Sequence, residues 1–362
     1  MSVAALLDGK DICICAGAGG VGKTTTSAAI GVGMARRGLK VVVLTIDPAR
    51  RLANSLGLPE LGNEECQIEL DAPGELWAMM LDAKTTFDEI VDKHAPDAET
   101  RDAVLSNRIY KELSTAVAGS QEYMAMEKLH ELHDEGRYDL LVLDTPPSRN
   151  ALDFLDAPDR LSRFIDSRSL QFFLAPSRTG LKIFSRGTGM LFSVLKRITG
   201  VDLLQDLSDF FASFGDMASG FRDRAKAVKA LLADDRTTFL LVTSAAHEAV
   251  EEAKFFRDKL EESGMPFGAV IVNRMHVEEP GEQEDLDSLD PKLAEKVAAN
   301  FKDFHTLAER DRRNVEQLTG DMGERPLIVV PYLDGDIHDL EGIEAINEHL
   351  FAGEAVVQTG AE

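Results

Sequence analysis

Short runs of apolar residues recur along the chain, and each is followed by residues with helical spacing. The runs are DICICAG, KVVVLTID, LWAMMLD, YDLLVLDTPP, TTFLLVTS, FGAVIVNR and PLIVVP. Near-continuous runs of Val, Leu and Ile are typical of strands that are covered on both faces. Their alternation with helices predicts an α/β fold with a doubly wound, mainly parallel sheet.

This strand pattern stops between residues 152 and 232, where helical spacing replaces it. We predict an inserted α-helical subdomain at 152–232, a surrounding domain formed by 1–151 and 233–350, and a flexible tail at 351–362. The insertion has an apolar stripe, which consists of Leu203, Leu207, Phe210, Phe214, Met217 and Phe221. Such a stripe usually belongs to the hydrophobic core, but a Phe- and Met-rich surface can also bind a hydrophobic client, and both interpretations stay open.

Composition limits the classes of partner. The hydrophobic fraction of 44% and the charged fraction of 28% are those of a globular protein, so the chain is expected to fold. The 63 acidic residues outnumber the 39 basic ones and give a net charge of -24. Because binding to nucleic acid requires Lys and Arg to neutralise phosphates, this charge argues against a nucleic-acid partner.

The cysteines and the chain start indicate the compartment. Cys13, Cys15 and Cys66 are too few and too scattered for a disulfide framework, which favours a reducing environment. The first residues lack the pattern of a secretory signal, and no apolar run is long enough to span a membrane. We therefore expect a cytoplasmic protein, with any membrane association transient and made through a partner.

The segment Gly17–Thr24 reads GAGGVGKT and matches the phosphate-binding loop G-x-x-x-x-G-K-[ST]. It follows a predicted strand and opens a helical run, which is the context that such a loop requires. Its backbone N–H groups and the helix N-terminus are expected to bind phosphate oxygens, Lys23 to reach the β- and γ-phosphates, and Thr24 to hold Mg²⁺. The predicted nucleotide contacts are Gly19, Gly20, Val21, Gly22, Lys23, Thr24 and Thr25.

Other polar residues suited to this chemistry directly follow strand-like runs. Asp47 ends LTID and is a candidate to orient or deprotonate the attacking water, or alternatively a helix cap. Asp144 ends LLVLD and is a candidate Mg²⁺ ligand, directly or through water, or alternatively a structural turn residue. Asn273 follows GAVIV. Since ligands bind at the carboxyl ends of parallel strands, these residues are expected to converge with the phosphate-binding loop.

Taken together, these motifs resemble the ArsA/Get3 family of arsenite-pump and tail-anchored-protein-targeting ATPases, and within it the anion-transporting ATPases. The resemblance rests on Gly17–Thr25, DPARRL and DTPPSRNALDFLD, and counterparts continue in order to VVPYLDGDIHDLEGI. It implies a cytoplasmic, dimeric ATPase that uses ATP and Mg²⁺, with Lys23 and Asp47 as catalytic residues. It also implies that Asn273 reads adenine, although this residue can equally be a loop cap, and that Pro331–Leu333 (Pro331, Tyr332 and Leu333) closes over the base.

The sequence departs from this family at three places. The deviant loop normally carries a lysine at position 18 that reaches the partner's phosphates, and here the residue is Ala18. The family's zinc-binding Cys-x-x-Cys is absent, so no structural zinc is expected, and no cysteines are placed to ligate an iron–sulfur cluster. The clustered cysteines of the metalloid pump are also absent, which argues against arsenite binding.

Several functions therefore remain open. The leading hypothesis is a dimeric Mg²⁺-ATPase that couples its nucleotide state to a hydrophobic client or membrane partner. Alternatives are a slow or inactive scaffold subunit in a heterodimer with a lysine-bearing paralogue, and an arsenite-efflux ATPase. In a homodimer, Arg50 or Arg149 can compensate for Ala18. A partitioning ATPase on DNA or membrane is disfavoured by the net charge and by the lack of a basic C-terminal helix.

Overall fold

The computed structural model describes most of the chain. The ranges that it describes are 1–47, 51–108, 110–111, 120–146, 156–160, 163, 210, 220–277, 290–323, 325–333, 335, 337 and 339–352. Arg50, Arg149 and most of the predicted insertion lie outside these ranges.

A single sheet of eight strands organises the larger part of the described chain, in the order β3-β4-β2-β5-β1-β6-β7-β8. Neighbouring strands are parallel except for β3 and β4, which are antiparallel. The strands are β1 (Ile12–Ala16), β2 (Lys40–Thr45), β3 (Cys66–Ile68), β4 (Glu75–Met80), β5 (Leu140–Asp144), β6 (Thr237–Ser244), β7 (Phe267–Met275) and β8 (Leu327–Pro331).

This sheet confirms the predicted α/β fold. Every residue of β1 and β5 is buried, which explains why these central strands are continuous apolar runs. Each of the seven predicted runs contains a strand. The additional strand, β3, escaped prediction because it has only three residues, of which Cys66 and Gln67 are exposed.

Helices alternate with many of the strands along the chain. The described ones are α1 (Val3–Leu6), α2 (Lys23–Ala35), α3 (Arg51–Ser55), α4 (Ala83–His94), α5 (Ala98–Ser106), α6 (Ser120–Glu135), α7 (His247–Glu262), α8 (Pro291–Met322) and α9 (Leu340–Phe351). Residues 220–232 are also helical. Because α9 ends at Phe351, the predicted tail begins one residue inside this helix, and residues 353–362 lie outside the described ranges.

Helix α2 follows the phosphate-binding loop and is buried almost throughout. Gly31 faces Val43 and Leu76 of the sheet, and Gly33 faces the ring of Phe351 in α9; a Cβ at either glycine would overlap these side chains. The helix is therefore packed closely between the sheet and α9 at these two glycines. This packing fixes the direction in which its N-terminus points.

The chain divides into two compact units. The first consists of Met1–Met80, Leu132–Leu152 and Leu232–Glu362 and contains the sheet, and the second consists of Leu81–Glu131 and Asp153–Leu231. The second unit thus includes Leu81–Glu131, which we expected in the ATPase domain, because these helices pack with the later segment rather than with the strand that precedes them. The boundaries of the insertion itself stay a prediction.

The second unit has its own buried contacts. Phe221 stacks on Phe87 with ring centroids 5.7 Å apart, and Phe87 also contacts Tyr110. Of the predicted apolar stripe, Phe210 and Phe221 are described, and they are 4% and 2% exposed. The other four members, Leu203, Leu207, Phe214 and Met217, lie outside the described ranges.

Within the part of the chain that the structure describes, none of the helices combines the length and apolar character that crossing a membrane requires.

Candidate functional site

The phosphate-binding loop connects β1 to α2 at the carboxyl edge of the sheet. Gly17, Gly20 and Gly22 have positive φ angles of 148°, 81° and 94°, which glycine adopts readily. A Cβ at Gly17 would overlap the carbonyl oxygen of Val242, and one at Gly22 would overlap the side-chain amide of Asn273. Two of the three glycines are thus required by space as well as by conformation.

Helix α2 begins at Lys23 with Gly22 as its N-cap, and no described side chain caps it. The first N–H groups of any α-helix have no partner within the helix, and the helix dipole makes this end attractive to anions. Together with the left-handed glycines before it, this end can bind phosphate oxygens. The predicted contacts Gly19 to Thr25 therefore lie in the last residues of the loop and the first turn of α2.

The Lys23 side chain folds back over the loop. Its Nζ donates to the carbonyl oxygens of Gly17, at 2.9 Å, and Ala18, at 2.7 Å, and the residue is 6% exposed. Burial lowers the pKa of Lys23, and the nearby charges of Asp144 and Glu252 oppose this shift. The ammonium is thus held beside the loop where phosphate groups would lie.

Asp144 is the last residue of β5 and is fully buried. Its Oδ2 accepts hydrogen bonds from the hydroxyls of Thr24, at 2.7 Å, and Thr45, at 2.8 Å. Its Oδ1 is buried and has no hydrogen-bond partner among the described residues. The carboxylate is therefore fixed through one oxygen, while the other is available to a ligand.

The environment of Asp144 suits a cation. Burial raises the pKa of Asp144 to about 6, although the hydroxyls of Thr24 and Thr45 and the charge of Lys23 lower it. A hydroxyl and a carboxylate beside a phosphate site are the hard oxygen ligands that Mg²⁺ prefers. The described residues contain no group of three His, Cys, Asp or Glu side chains that could hold a metal by themselves. The residues thus fit a Mg²⁺ that completes its coordination with phosphate and water.

Asp47 lies two residues beyond the end of β2 and is 9% exposed. Its backbone N–H donates to the Thr45 hydroxyl at 3.2 Å, and its Oδ2 forms an ion pair with Arg51 at 3.2 Å. Because Thr45 also donates to Asp144, one hydroxyl connects the two predicted site aspartates. Sequence reasoning missed Thr45; its only signal is a hydroxyl at a strand end, two residues before Asp47.

Asn273 lies near the end of β7 and is 5% exposed. Its Nδ2 donates to the carbonyl oxygen of Val21 at 2.9 Å, and its Oδ1 accepts from the backbone N–H of Arg274 at 3.0 Å. In this arrangement the side chain connects β7 to the phosphate-binding loop. An adenine contact would require Asn273 to share or exchange these bonds.

The segment Pro331–Leu333 begins at the last residue of β8, at the same edge of the sheet. Its central residue, Tyr332, is 56% exposed, and its backbone N–H donates to Met275 at 2.9 Å. The structure therefore places Lys23, Thr24, Asp144 and Asn273 in one hydrogen-bonded neighbourhood, and Pro331–Leu333 beside the end of β7.

A family model described as anion-transporting ATPase matches residues 10–351, which is nearly the whole chain. The chain belongs to the anion-transporting ATPase family. This membership confirms the ArsA/Get3 resemblance, the fold class and the expected enzyme class, an ATPase. It accounts for a phosphate-binding loop, a buried aspartate and a parallel sheet in a single α/β unit.

Curated relatives agree with the family. The chain is 23% identical over 353 residues to "ATPase GET3" of Malassezia globosa, which covers 95% of this chain and 92% of that protein. It is 24% identical over 349 residues to "Putative arsenical pump-driving ATPase 1" of Aquifex aeolicus, covering 95% and 79%. It is also 24% identical to "ATPase get3" of Aspergillus terreus, covering 80% and 82%. The similarity to these ATPases thus extends along most of the chain.

Proposed function

We propose that this member of the anion-transporting ATPase family is a Mg²⁺-dependent ATPase that works as a dimer and couples its nucleotide state to a hydrophobic client or membrane partner. The observation that carries the ATPase part is the Thr24–Asp144–Thr45 arrangement beside Lys23. It supplies a cation for phosphate and a carboxylate oxygen with no protein partner among the described residues.

Different residues of the site are proposed to bind the phosphates and the metal ion. The start of α2 binds phosphate oxygens, and Lys23 exchanges the Gly17 and Ala18 carbonyls for the β- and γ-phosphates. Thr24 and Asp144 hold the metal, Asp144 directly or through water. When bound, Mg²⁺ neutralises charge on the β- and γ-phosphate oxygens.

Asp47 orients the attacking water and accepts its proton. The water oxygen forms a bond to the γ-phosphorus while the bond from that phosphorus to the β–γ bridging oxygen breaks, which releases ADP and phosphate. Thr45 fixes the positions of Asp47 and Asp144 relative to each other, because its hydroxyl donates to the Asp144 carboxylate and accepts from the backbone N–H of Asp47. Asn273 and Pro331–Leu333 are proposed to lie beside the adenine.

A turnover assay tests the ATPase proposal. Purified chain is expected to release phosphate from ATP only with Mg²⁺, and Lys23→Met is expected to lower the rate at least about 100-fold, since it removes a cation from the transition state. Lys40→Met is a matched control, because Lys40 is half-exposed at the other end of β2. Equal rates in wild type and Lys23→Met would contradict the assignment.

The proposed dimer has two alternative forms, which differ in what replaces the lysine that is missing at position 18. In a heterodimer, a paralogue supplies the lysine that Ala18 lacks, and this subunit is a slow or inactive nucleotide-binding scaffold by itself. In a homodimer, another group replaces it. Ala18 is 9% exposed in the described chain, and its carbonyl already accepts from Lys23.

Ala18→Lys separates these forms. If the missing charge limits the isolated chain, the substitution is expected to raise turnover by up to about tenfold, measured as phosphate release at saturating ATP. Ala18→Met adds similar length without charge and serves as the control. No gain over Ala18→Met would count against the missing lysine as the defect. Mass measurement of the wild-type chain with ATP gives its assembly state directly.

The client part of the proposal draws on family membership and on the Phe- and Met-rich sequence at 152–232. Photocrosslinking probes at Phe192, Phe210 and Phe214, with ATP or ADP, test it. Crosslinks to a hydrophobic segment of another protein in one nucleotide state are expected. Crosslinks confined to this chain or its partner subunit would show that these side chains are core or dimer contacts.

A further inference from the structure

The ring of His276, just beyond the carboxyl end of β7, contacts two other aromatic rings, those of Tyr332 and Phe304. The rings of His276 and Tyr332 are nearly parallel, with an angle of 6° and centroids 5.4 Å apart. Phe304 of α8 meets His276 edge-on, also at 5.4 Å. Tyr332 and Phe304 are 56% and 40% exposed, so the cluster lies at the surface of its unit. Neither the phosphate chemistry nor the proposed catalysis uses these rings.

A buried carboxylate fixes the central ring. Oδ2 of Asp311, which is 2% exposed, accepts hydrogen bonds from the backbone N–H of His276, at 3.1 Å, and from its Nδ1, at 2.7 Å. Oδ1 accepts from the Arg310 guanidinium at 2.8 Å. Burial raises the pKa of Asp311, but the bonds from His276 and Arg310 outweigh it, so the pKa lies below its usual range. Asp311 thus holds both the backbone and the ring of His276.

The end of β7, directly before His276, also contacts the phosphate-binding loop. Asn273, three residues earlier, donates to the Val21 carbonyl. Between them Arg274 has a φ of 56°, a conformation that non-glycine residues seldom adopt unless surrounding contacts impose it. The short segment 273–276 therefore contacts the phosphate-binding loop at one end and the aromatic cluster at the other.

We propose that Asp311 and His276 are positioning residues that set Tyr332 and the segment Pro331–Leu333 for the nucleoside part of ATP. The inference rests on the proposed function. Nucleotides extend along the carboxyl edge of a parallel sheet from the phosphate-binding loop, and β7 and β8 are the next strands beyond β6 along that edge. His276 supports Tyr332 by stacking, and Asp311 prevents the imidazole from turning away.

Binding of two ligands tests this directly: Mg-ATP, and inorganic tripolyphosphate, which has the phosphates but no nucleoside. In full-length His276→Ala we expect the Kd for ATP to rise about tenfold and that for tripolyphosphate to stay within about twofold, by calorimetry. Tyr332→Ala should show the same split, and Tyr332→Phe, which keeps the ring, should bind like wild type. Asp311→Asn should weaken ATP binding about threefold with tripolyphosphate unchanged.

Two further variants keep the outcome interpretable. His276→Phe retains a ring against Tyr332 but cannot bond to Asp311, so it should weaken ATP selectively even if His276→Ala fails to fold. His305→Ala changes an exposed histidine of the same helix, α8, and is expected to alter neither ligand. Parallel losses for ATP and tripolyphosphate, or unchanged ATP binding in His276→Ala or Asp311→Asn, would overturn the inference. A wild-type chain that binds neither ligand would instead overturn the proposed function.

Discussion

Two buried carboxylates, one in each compact unit, differ in how their oxygens are used. Asp144 in the sheet unit is fully buried, accepts two hydroxyl hydrogen bonds on Oδ2 and has no described partner for Oδ1. Glu127 in the other unit is 1% exposed and uses both oxygens: Tyr123 donates to Oε1, and Arg224 donates to Oε2 at 2.6 Å. The first has bonding capacity left for a ligand, whereas the second is satisfied by the protein.

The difference separates a functional carboxylate from a structural one. Burial of a carboxylate is costly, and the raised pKa of Asp144 reflects this cost although the charge of Lys23 offsets part of it. Such a group is retained at a site where a bound cation compensates it. The Glu127 network, in contrast, connects α6, residues 220–232 and His94 of α4, whose Nε2 lies 2.9 Å from Arg224. It ties helices of the second unit together.

The largest expected effect is on turnover at Asp144. Asp144→Asn keeps the shape of the side chain but removes the charge that would hold Mg²⁺. We expect phosphate release to fall about 10³-fold, or about 4 kcal/mol in activation free energy. Because the substitution also removes a buried charge that Lys23 offsets only in part, the melting temperature is expected to stay equal or rise.

Asp139→Asn is the matched control for this prediction. Asp139 precedes β5 at the opposite edge of the sheet, where its carboxylate accepts from the backbone N–H of Lys40 at 2.8 Å. Turnover of Asp139→Asn is expected to remain that of wild type. A large loss of stability in Asp144→Asn would show that this carboxylate, like Glu127, stabilises the fold, and would contradict the distinction between the two.

The next effect is on stability at Arg224. Arg224→Met leaves the Glu127 carboxylate buried with Tyr123 but without its cation. Since Arg224 itself is 21% exposed, we expect a loss of about 3 kcal/mol, below the upper range for broken buried pairs. Hydrogen exchange of peptides from α6 and from residues 220–232 measures this loss locally, which avoids assuming that both units unfold together.

Two variants sharpen this result. Adding Glu127→Gln to Arg224→Met removes the stranded charge and is expected to restore part of the protection. Lys226→Met changes an exposed lysine in the same helical segment, 3.7 Å from Asp223, and should alter exchange very little. Normal protection in Arg224→Met would show that the network contributes no net stability.

The smallest effect concerns pH. Burial and the charge of Arg224 lower the pKa of His94, so the folded state disfavours the proton. The unfolded chain binds that proton as pH falls below about 6.5, and the contribution of neutral His94 to stability is lost in that direction. His94→Gln is therefore expected to flatten the pH dependence of exchange in α4 between about pH 7 and pH 5.

His305→Gln is the control for the pH prediction, because it changes an exposed histidine in the sheet unit. It is expected to leave the pH dependence of α4 as in wild type. Protection that rises on acidification in wild type but not in His94→Gln would reverse the assigned sign.

Much of the fold follows from local pattern. Strands covered on both faces are predominantly apolar, so the seven apolar runs could be recognised in the sequence. Cys66–Ile68 could not be found this way, because an edge strand with two exposed residues carries no such run. The grouping of Leu81–Glu131 with 153–231 was also beyond reach, since periodicity shows which face is apolar and not what covers it.

Some residues of the candidate site could likewise be predicted from the sequence, whereas others could not. Lys23 and Thr24 belong to a motif whose spacing is imposed by the phosphate, and Asp144 ends the buried apolar run of β5, so each has a sequence signal. Thr45 has only the weak signal of a hydroxyl at a strand end, and His276 and Asp311 have none. Their contacts depend on which strands are neighbours and on where a helix that starts at Pro291 reaches the sheet, and both are properties of the assembled unit.

Two glycines of the phosphate-binding loop limit which mutations the site can accept. Gly17 lies directly against the backbone of β6 at Val242, and Gly22 lies directly against the side chain of Asn273 in β7. A mutation that shifts either strand by a fraction of an ångström would alter the grip on phosphate without touching Lys23. Mutational tolerance at this site is therefore set jointly by three segments of chain, namely the loop, β6 and β7.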